Sequence, residues 1–86
     1  MADTLGLLEE ARQLARDLGY DVREEPLGDL PGGPCTVGGQ RRILLNMELA
    51  PADHLAVLLR ALAADEALAS LPKSRLLAAR LSAAGR

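Results

Sequence analysis

Ile43-Leu44-Leu45-Asn46-Met47-Glu48-Leu49-Ala50-Pro51-Ala52-Asp53-His54-Leu55-Ala56-Val57-Leu58-Leu59-Arg60-Ala61-Leu62-Ala63-Ala64 reads as a buried strand, a short turn and an apolar helix opened by proline. Pro51 fits the first helical position, where its missing amide hydrogen costs nothing. Ala50 at the cap has no side-chain oxygen, and Asp53 in the first turn compensates through the helix dipole. Leu55, Leu58, Leu59 and Leu62 recur at helical spacing and mark the buried stripe of a helix running to about Ala64.

Upstream, Cys35-Thr36-Val37, Gly38-Gly39 and Arg41 to Asn46 read as a β-hairpin. A two-residue turn sets Cys35 opposite Arg42. A three-residue loop sets Cys35 opposite Ile43 and gathers Cys35, Val37, Ile43 and Leu45 on one face. Hydrophobic patterning favours the second register. Residues 26–34 carry three prolines and three glycines, which excludes a helix or a central strand there. Leu27 and Leu30 are expected to tack this loop onto the core. A phosphate-cradle reading fails, because no Lys-Ser/Thr and no helix follow the glycines. Tyr20 to Glu25 alternates in the strand manner, with Tyr20 and Val22 on one face and Asp21, Arg23 and Glu25 on the other.

Residues 4–18 form an amphipathic pattern through Leu7, Leu8, Ala11, Leu14, Ala15 and Leu18, with Asp3 or Thr4 as cap and Gly19 at the C-terminal stop. Beyond the central helix, Asp65 to Leu71 either prolongs it or forms a separate turn. Pro72 is expected to open a last helix through about Ala83, with Leu77 and Leu81 inward and Leu76 beside them. The sequence therefore predicts one α+β domain over residues 1–86. Its small, mainly antiparallel three-stranded sheet with a β-hairpin packs on two or three α-helices, in the order α-β-β-β-α-α.

Eighty-six residues bury only a modest core, roughly 60–65% of the unfolded surface. The apolar fraction of 49% suffices for folding, but Tyr20 is the only aromatic residue, so the core must be leucine, isoleucine, valine and alanine. No apolar run approaches the roughly 20 residues that cross a bilayer, and the lone Cys35 excludes an internal disulfide. The expectation is a soluble, cytoplasmic protein with no membrane partner. A net charge of −2 argues against a nucleic-acid partner.

The charge is unevenly placed. Residues 1–30 hold eight acids against three arginines, whereas residues 67–86 hold Lys73, Arg75, Arg80 and Arg86 and no acid. Those cations complement a helix C-terminus, or dock the tail on the acidic half of the same or another subunit.

Residues able to carry chemistry are few. His54 has Ala50, Pro51, Val57 and Leu58 as its helical neighbours, none of them a ligand, so it reads as a surface or rim histidine. Cys35 reads as a packing residue on the apolar face, the alternative being a nucleophile activated by Arg41 or Arg42. Glu24, Glu25 and Asp29 read as a solvated strand end. Arg41 and Arg42 face opposite ways. No catalytic, cofactor-binding or metal-binding residue is assigned, and no cofactor is expected.

The helix ending in Leu18-Gly19-Tyr20, the strand Asp21 to Glu25, the Gly-rich loop, the strand Arg42 to Asn46 and the helix opened by Ala50-Pro51 together resemble the N-terminal half of ImmA/IrrE-type metallopeptidases. In that family the last helix carries His-Glu-x-x-His. The matching positions here are Arg60-Ala61-Leu62-Ala63-Ala64, so the resemblance implies the scaffold without its zinc ligands or catalytic glutamate. The chain also looks like one of the short bacterial proteins of undefined role.

The expected function is a non-catalytic protein-interaction or homodimerisation module. Leu55, Leu58, Leu59, Leu62, Leu77 and Leu81 exceed what a three-stranded sheet need cover, and are expected to meet a second copy or a protein partner, with the helix at 72–83 docking on a second subunit. The alternatives are an enzyme using Cys35 and a degenerate metallopeptidase-like regulatory domain. A further alternative is a module whose basic tail meets an acidic partner.

Overall fold

The most apolar strand takes the middle of the sheet. The computed structural model describes residues 3–85 and orders them as α1 (Thr4–Asp17), β1 (Asp21–Glu25), β2 (Gly32–Val37), β3 (Gln40–Asn46), α2 (Pro51–Ala63), a 3-10 turn (Glu66–Ser70) and α3 (Arg75–Ala84). The α+β class and the element order are as expected. The sheet, however, is mixed. Its order is β1-β3-β2, with β1 parallel and β2 antiparallel to β3. The chain reverses direction between β1 and β2 and again at the hairpin, so β1 and β3 run the same way. Placing β3 between them lets Ile43 and Leu45, both 0% exposed, sit under the helices with backbone partners on either side.

The hairpin has the register that patterning disfavoured: Cys35 lies opposite Arg42, and Val37 opposite Gln40. Turn geometry wins over patterning because Gly38 (φ 56°) and Gly39 (φ 83°) both take the left-handed conformation that a two-residue turn of matching twist requires. Patterning has little leverage on β2, an edge strand with no fully buried residue. A two-residue turn makes Val37 and Gln40 the first hydrogen-bonded pair. Ladder bonds then fall on residues 37, 35 and 33, and the backbone groups of Gly32, Pro34 and Thr36 face away from β3. Gly32 (φ 115°) is obligatory, since a Cβ there would stand 2.1 Å from the Leu44 carbonyl oxygen.

The apolar stripes of α1 and α2 join Ile43 and Leu45 in one core, and α3 packs on α2. Leu55, Leu58, Leu59, Leu62, Leu77 and Leu81 all belong to this core, none more than 6% exposed. They are therefore not a free interaction surface; the chain's own elements cover them. α1 ends in paired backbone bonds, Gly19 N–H to the Arg16 carbonyl and Tyr20 N–H to the Ala15 carbonyl, both 2.9 Å. Asp3 holds the cap position of α1 but makes no capping bond.

α3 begins later than Pro72 suggests. Ser74 caps it by accepting from the Leu77 amide at 3.1 Å, and Asp65 caps the preceding turn through the Ala67 amide at 2.9 Å. Glu10 of α1 receives the Ser74 amide and hydroxyl, each at 2.7 Å. The C-terminal segment thus docks on the acidic half of its own chain through a helix N-terminus, and not through Lys73, Arg75 or Arg80, which form no ion pair among the described residues. Arg86 of the basic tail lies outside the described residues.

One polar side chain ties the segments together. Asn46, 1% exposed, donates through Nδ2 to the carbonyls of Gly28 (3.0 Å) and Leu30 (2.9 Å) and accepts the Glu48 amide (3.0 Å). Its carbonyl accepts from the Leu49 amide at 3.0 Å and from His54 Nε2 at 2.6 Å. Since the partner is a carbonyl, Nε2 of His54 carries the proton. His54 is accordingly buried, 5% exposed, rather than a rim residue. Replacing Asn46 with alanine strands two loop carbonyls and an amide and should destabilise the fold by about 3 kcal/mol in urea unfolding; a loss below about 0.5 kcal/mol would refute this role for Asn46.

Candidate functional site

Small residues on α2 open a groove beside the β2 edge of the sheet. Ala61 and Ala64 near the end of α2, with Val57 and Arg60, form one wall, and Gly32, Gly33 and Pro34 of β2 form the other. Alanine and glycine leave space that leucines at the same positions would fill. The groove has a volume of about 420 Å³, within the size range of ordinary ligand clefts. Tyr20 stands at its end and is shared with a smaller cleft of about 210 Å³ that continues along β2 past Pro34 to Cys35, Thr36 and Arg41.

Tyr20 is held by Asp65 and Arg41. Its hydroxyl donates to Asp65 Oδ2 at 3.0 Å, and Arg41 donates to the same oxygen at 3.2 Å. The Arg41 guanidinium also lies 4.2 Å from the centre of the Tyr20 ring, within cation–π range, and donates to the Leu18 carbonyl. Burial pushes the Tyr20 phenol above its ordinary range, and the hydrogen bond and negative charge of Asp65 add to this against the opposing charge of Arg41. The Ala67 amide holds the Asp65 carboxyl below its ordinary range; the Tyr20 hydroxyl and Arg41 assist, and burial opposes. The phenol therefore stays protonated at neutral pH and acts as a donor and an apolar wall. These three residues come from distant parts of the chain, so the sequence offered no spacing by which to group them.

The other chemistry-bearing residues lie apart from one another. Cys35 is half-buried and, with the observed register, shares a face with Arg42 and Leu44, away from Ile43 and Leu45. That overturns its expected place on the helix-covered face. His54 is engaged at the far end of β3, about 13 Å along the strand from Arg42, and cannot act as a base for Cys35. Glu24 pairs with Arg12 of α1 at 2.8 Å. Arg41 turns toward the helices, and Arg42 turns away from them toward Asp21 at 3.5 Å. Among the described residues no three His, Cys, Asp or Glu side chains come together as a metal would require.

Of the five positions matched to His-Glu-x-x-His, Arg60, Ala61 and Ala64 line the groove, and Leu62 is in the core. Leu30, expected to anchor its loop, is 66% exposed. Val37, Met47 and Leu76 are also more than half exposed, and the choice of surface leucines from periodicity missed all of these. No helix among the described residues is long and apolar enough to cross a membrane.

Stability of the Tyr20–Asp65 pair depends on pH in two directions. The Asp65 contribution is present above the ordinary carboxylate range and is lost as pH falls through its lowered folded value. The Tyr20 contribution is present below its unfolded value, about 10, and is lost as pH rises through its raised folded value. Tyr20 is the only tyrosine, so its phenolate absorbance reports this directly. The titration midpoint should lie above that of a model tyrosine and move back toward it in Asp65→Asn; an unchanged midpoint would refute the coupling. No family model matches this chain, and neither a curated protein nor a solved structure matches it.

Proposed function

We propose that the chain is a non-catalytic protein-interaction module that receives a segment of a partner polypeptide in the groove between β2 and α2. The observation that carries this reading is the groove itself: a mainly apolar cleft of about 420 Å³ between a helix and a strand edge, with Tyr20 and Arg60 in its walls. Such a cleft suits a small apolar anchor, and flanking polar groups supply orientation. Two of the side chains best suited to acid–base chemistry are already engaged, His54 by Asn46 and Tyr20 by Asp65.

Homodimerisation is the weaker form of this proposal. The six leucines that motivated it lie in the core, so a second copy has to use other residues. A metallopeptidase-like regulatory domain is a more specific form, in which the helix keeps its place beside the groove and lacks the metal ligands. Catalysis by Cys35 is disfavoured by its distance from His54, and a native thiol that alkylates far faster than free cysteine would revive it.

Ala64 is exposed at the groove and outside the core. Ala64→Trp should fill the groove and abolish cross-linking of partners to the full chain, while changing stability by less than about 0.5 kcal/mol. A variant that is folded and retains every partner would refute the groove as the contact surface. Light scattering separates the homodimer form: a strict monomer at micromolar concentration leaves only a different protein as partner.

A further inference from the structure

Arg60 stands between the β2–α2 groove and a second cleft. That cleft, of about 310 Å³, lies between α2 and α3 and is lined by Ala56, Leu59, Arg60, Arg80, Ala83 and Ala84. Both helices expose small residues here, so the two guanidinium groups are the only charges on its walls among the described residues. Among the described residues no acid lines either cleft. Four ion pairs are present among the described residues, and neither Arg60 nor Arg80 takes part in one.

The arginines differ in their local setting. Arg60 lies in the last turn of α2, where the helix dipole favours a cation. Arg80 is not in the last turn of α3, so that account does not cover it. Two like charges on one cleft repel each other, and a carboxylate placed between them converts that repulsion into two favourable pairs.

A second copy of this chain is a poor occupant. Closed dimers pair a patch with itself, which would oppose cation to cation. An acidic partner has the matching charge, and the neighbouring groove offers it a mainly apolar cleft. A nucleic acid is disfavoured, because the chain carries a net charge of −2 and its only aromatic side chain, Tyr20, already carries Arg41 on its ring.

We infer that the partner segment is acidic, seating an apolar side chain in the β2–α2 groove and a carboxylate between Arg60 and Arg80. This rests on the proposed groove-binding function and adds the charge of the partner. Guanidinium pairs with carboxylate in fixed bidentate geometry, so lysine at these positions would serve less well. Because both arginines are solvent-exposed, the attraction is screened by salt.

The experiment uses the full chain and three synthetic probes: a peptide of glutamate and leucine, its lysine–leucine counterpart, and a short single-stranded DNA. Binding is mapped by amide chemical shifts and measured by fluorescence anisotropy. The expected result is that the glutamate–leucine peptide perturbs residues 57–64 and 80–84 and the lysine peptide does not. Arg60→Glu with Arg80→Glu should weaken binding roughly tenfold or more, equivalent to about 1.4 kcal/mol per decade. Arg16→Glu, an exposed arginine on α1, should leave it unchanged.

Equal binding of both peptides in the groove would overturn the acidic-partner inference and leave the groove reading standing. Binding of the acidic peptide that survives the double reversal would also overturn the inference. No perturbation of either cleft by any probe would overturn both. Tighter binding of the DNA at the same residues would replace the peptide with a nucleic acid. If the doubly reversed chain fails to fold, Arg60→Gln with Arg80→Gln gives the same test with a smaller expected loss.

Discussion

Asn46 is the constraint on which the arrangement depends. It ends the central strand, so its backbone and side chain lie where the loop before β2, the turn after β3 and the first turn of α2 converge. Its side-chain amide binds the loop before β2 and the turn after β3, its backbone carbonyl receives His54 of α2, and the low surrounding dielectric makes each bond costly to lose. With the entry to α2 fixed in this way, the helix lies across Ile43 and Leu45 at one end and leaves a gap beside β2 at the other.

That gap follows from composition. A core without phenylalanine or tryptophan fills its volume with leucine where helices meet the sheet, and alanine and glycine lie at the margin. The leucine stripe of α2 is spent on folding, and the side chains left over on the same helix, Ala56, Arg60 and Ala64, define its outer character. Folding therefore uses one face of α2 and leaves another to small residues and Arg60. The Tyr20–Arg41–Asp65 set closes the groove at the point where the end of α1, the hairpin and the post-α2 turn meet.

Much of the secondary structure was legible because it rests on local rules. The spacing of Leu7, Leu8, Ala11 and Leu14, the stop at Gly19 and the opening at Pro51 act within a few residues, and each held. Sheet order was not legible, because nothing local to β1 specifies whether β2 or β3 will lie beside it. The hairpin register went against patterning because the glycine turn is a strong local constraint and the edge strand is weakly patterned. The candidate site was least legible. Leucine periodicity marked the core instead of the surface. Tyr20, Arg41 and Asp65 are brought together by the tertiary fold alone, and the one visible signal for Asn46 was a polar residue closing an apolar run.

Pro34 has a consequence for how this protein survives at high concentration. An unpaired strand border is a template on which identical chains can stack. At Pro34 the outward backbone nitrogen has no hydrogen, and the ring occupies the path of an arriving strand. A neighbouring molecule attempting to extend the sheet at β2 meets that interruption in the middle of the border, so addition of a strand on this side, where the groove lies, is disfavoured.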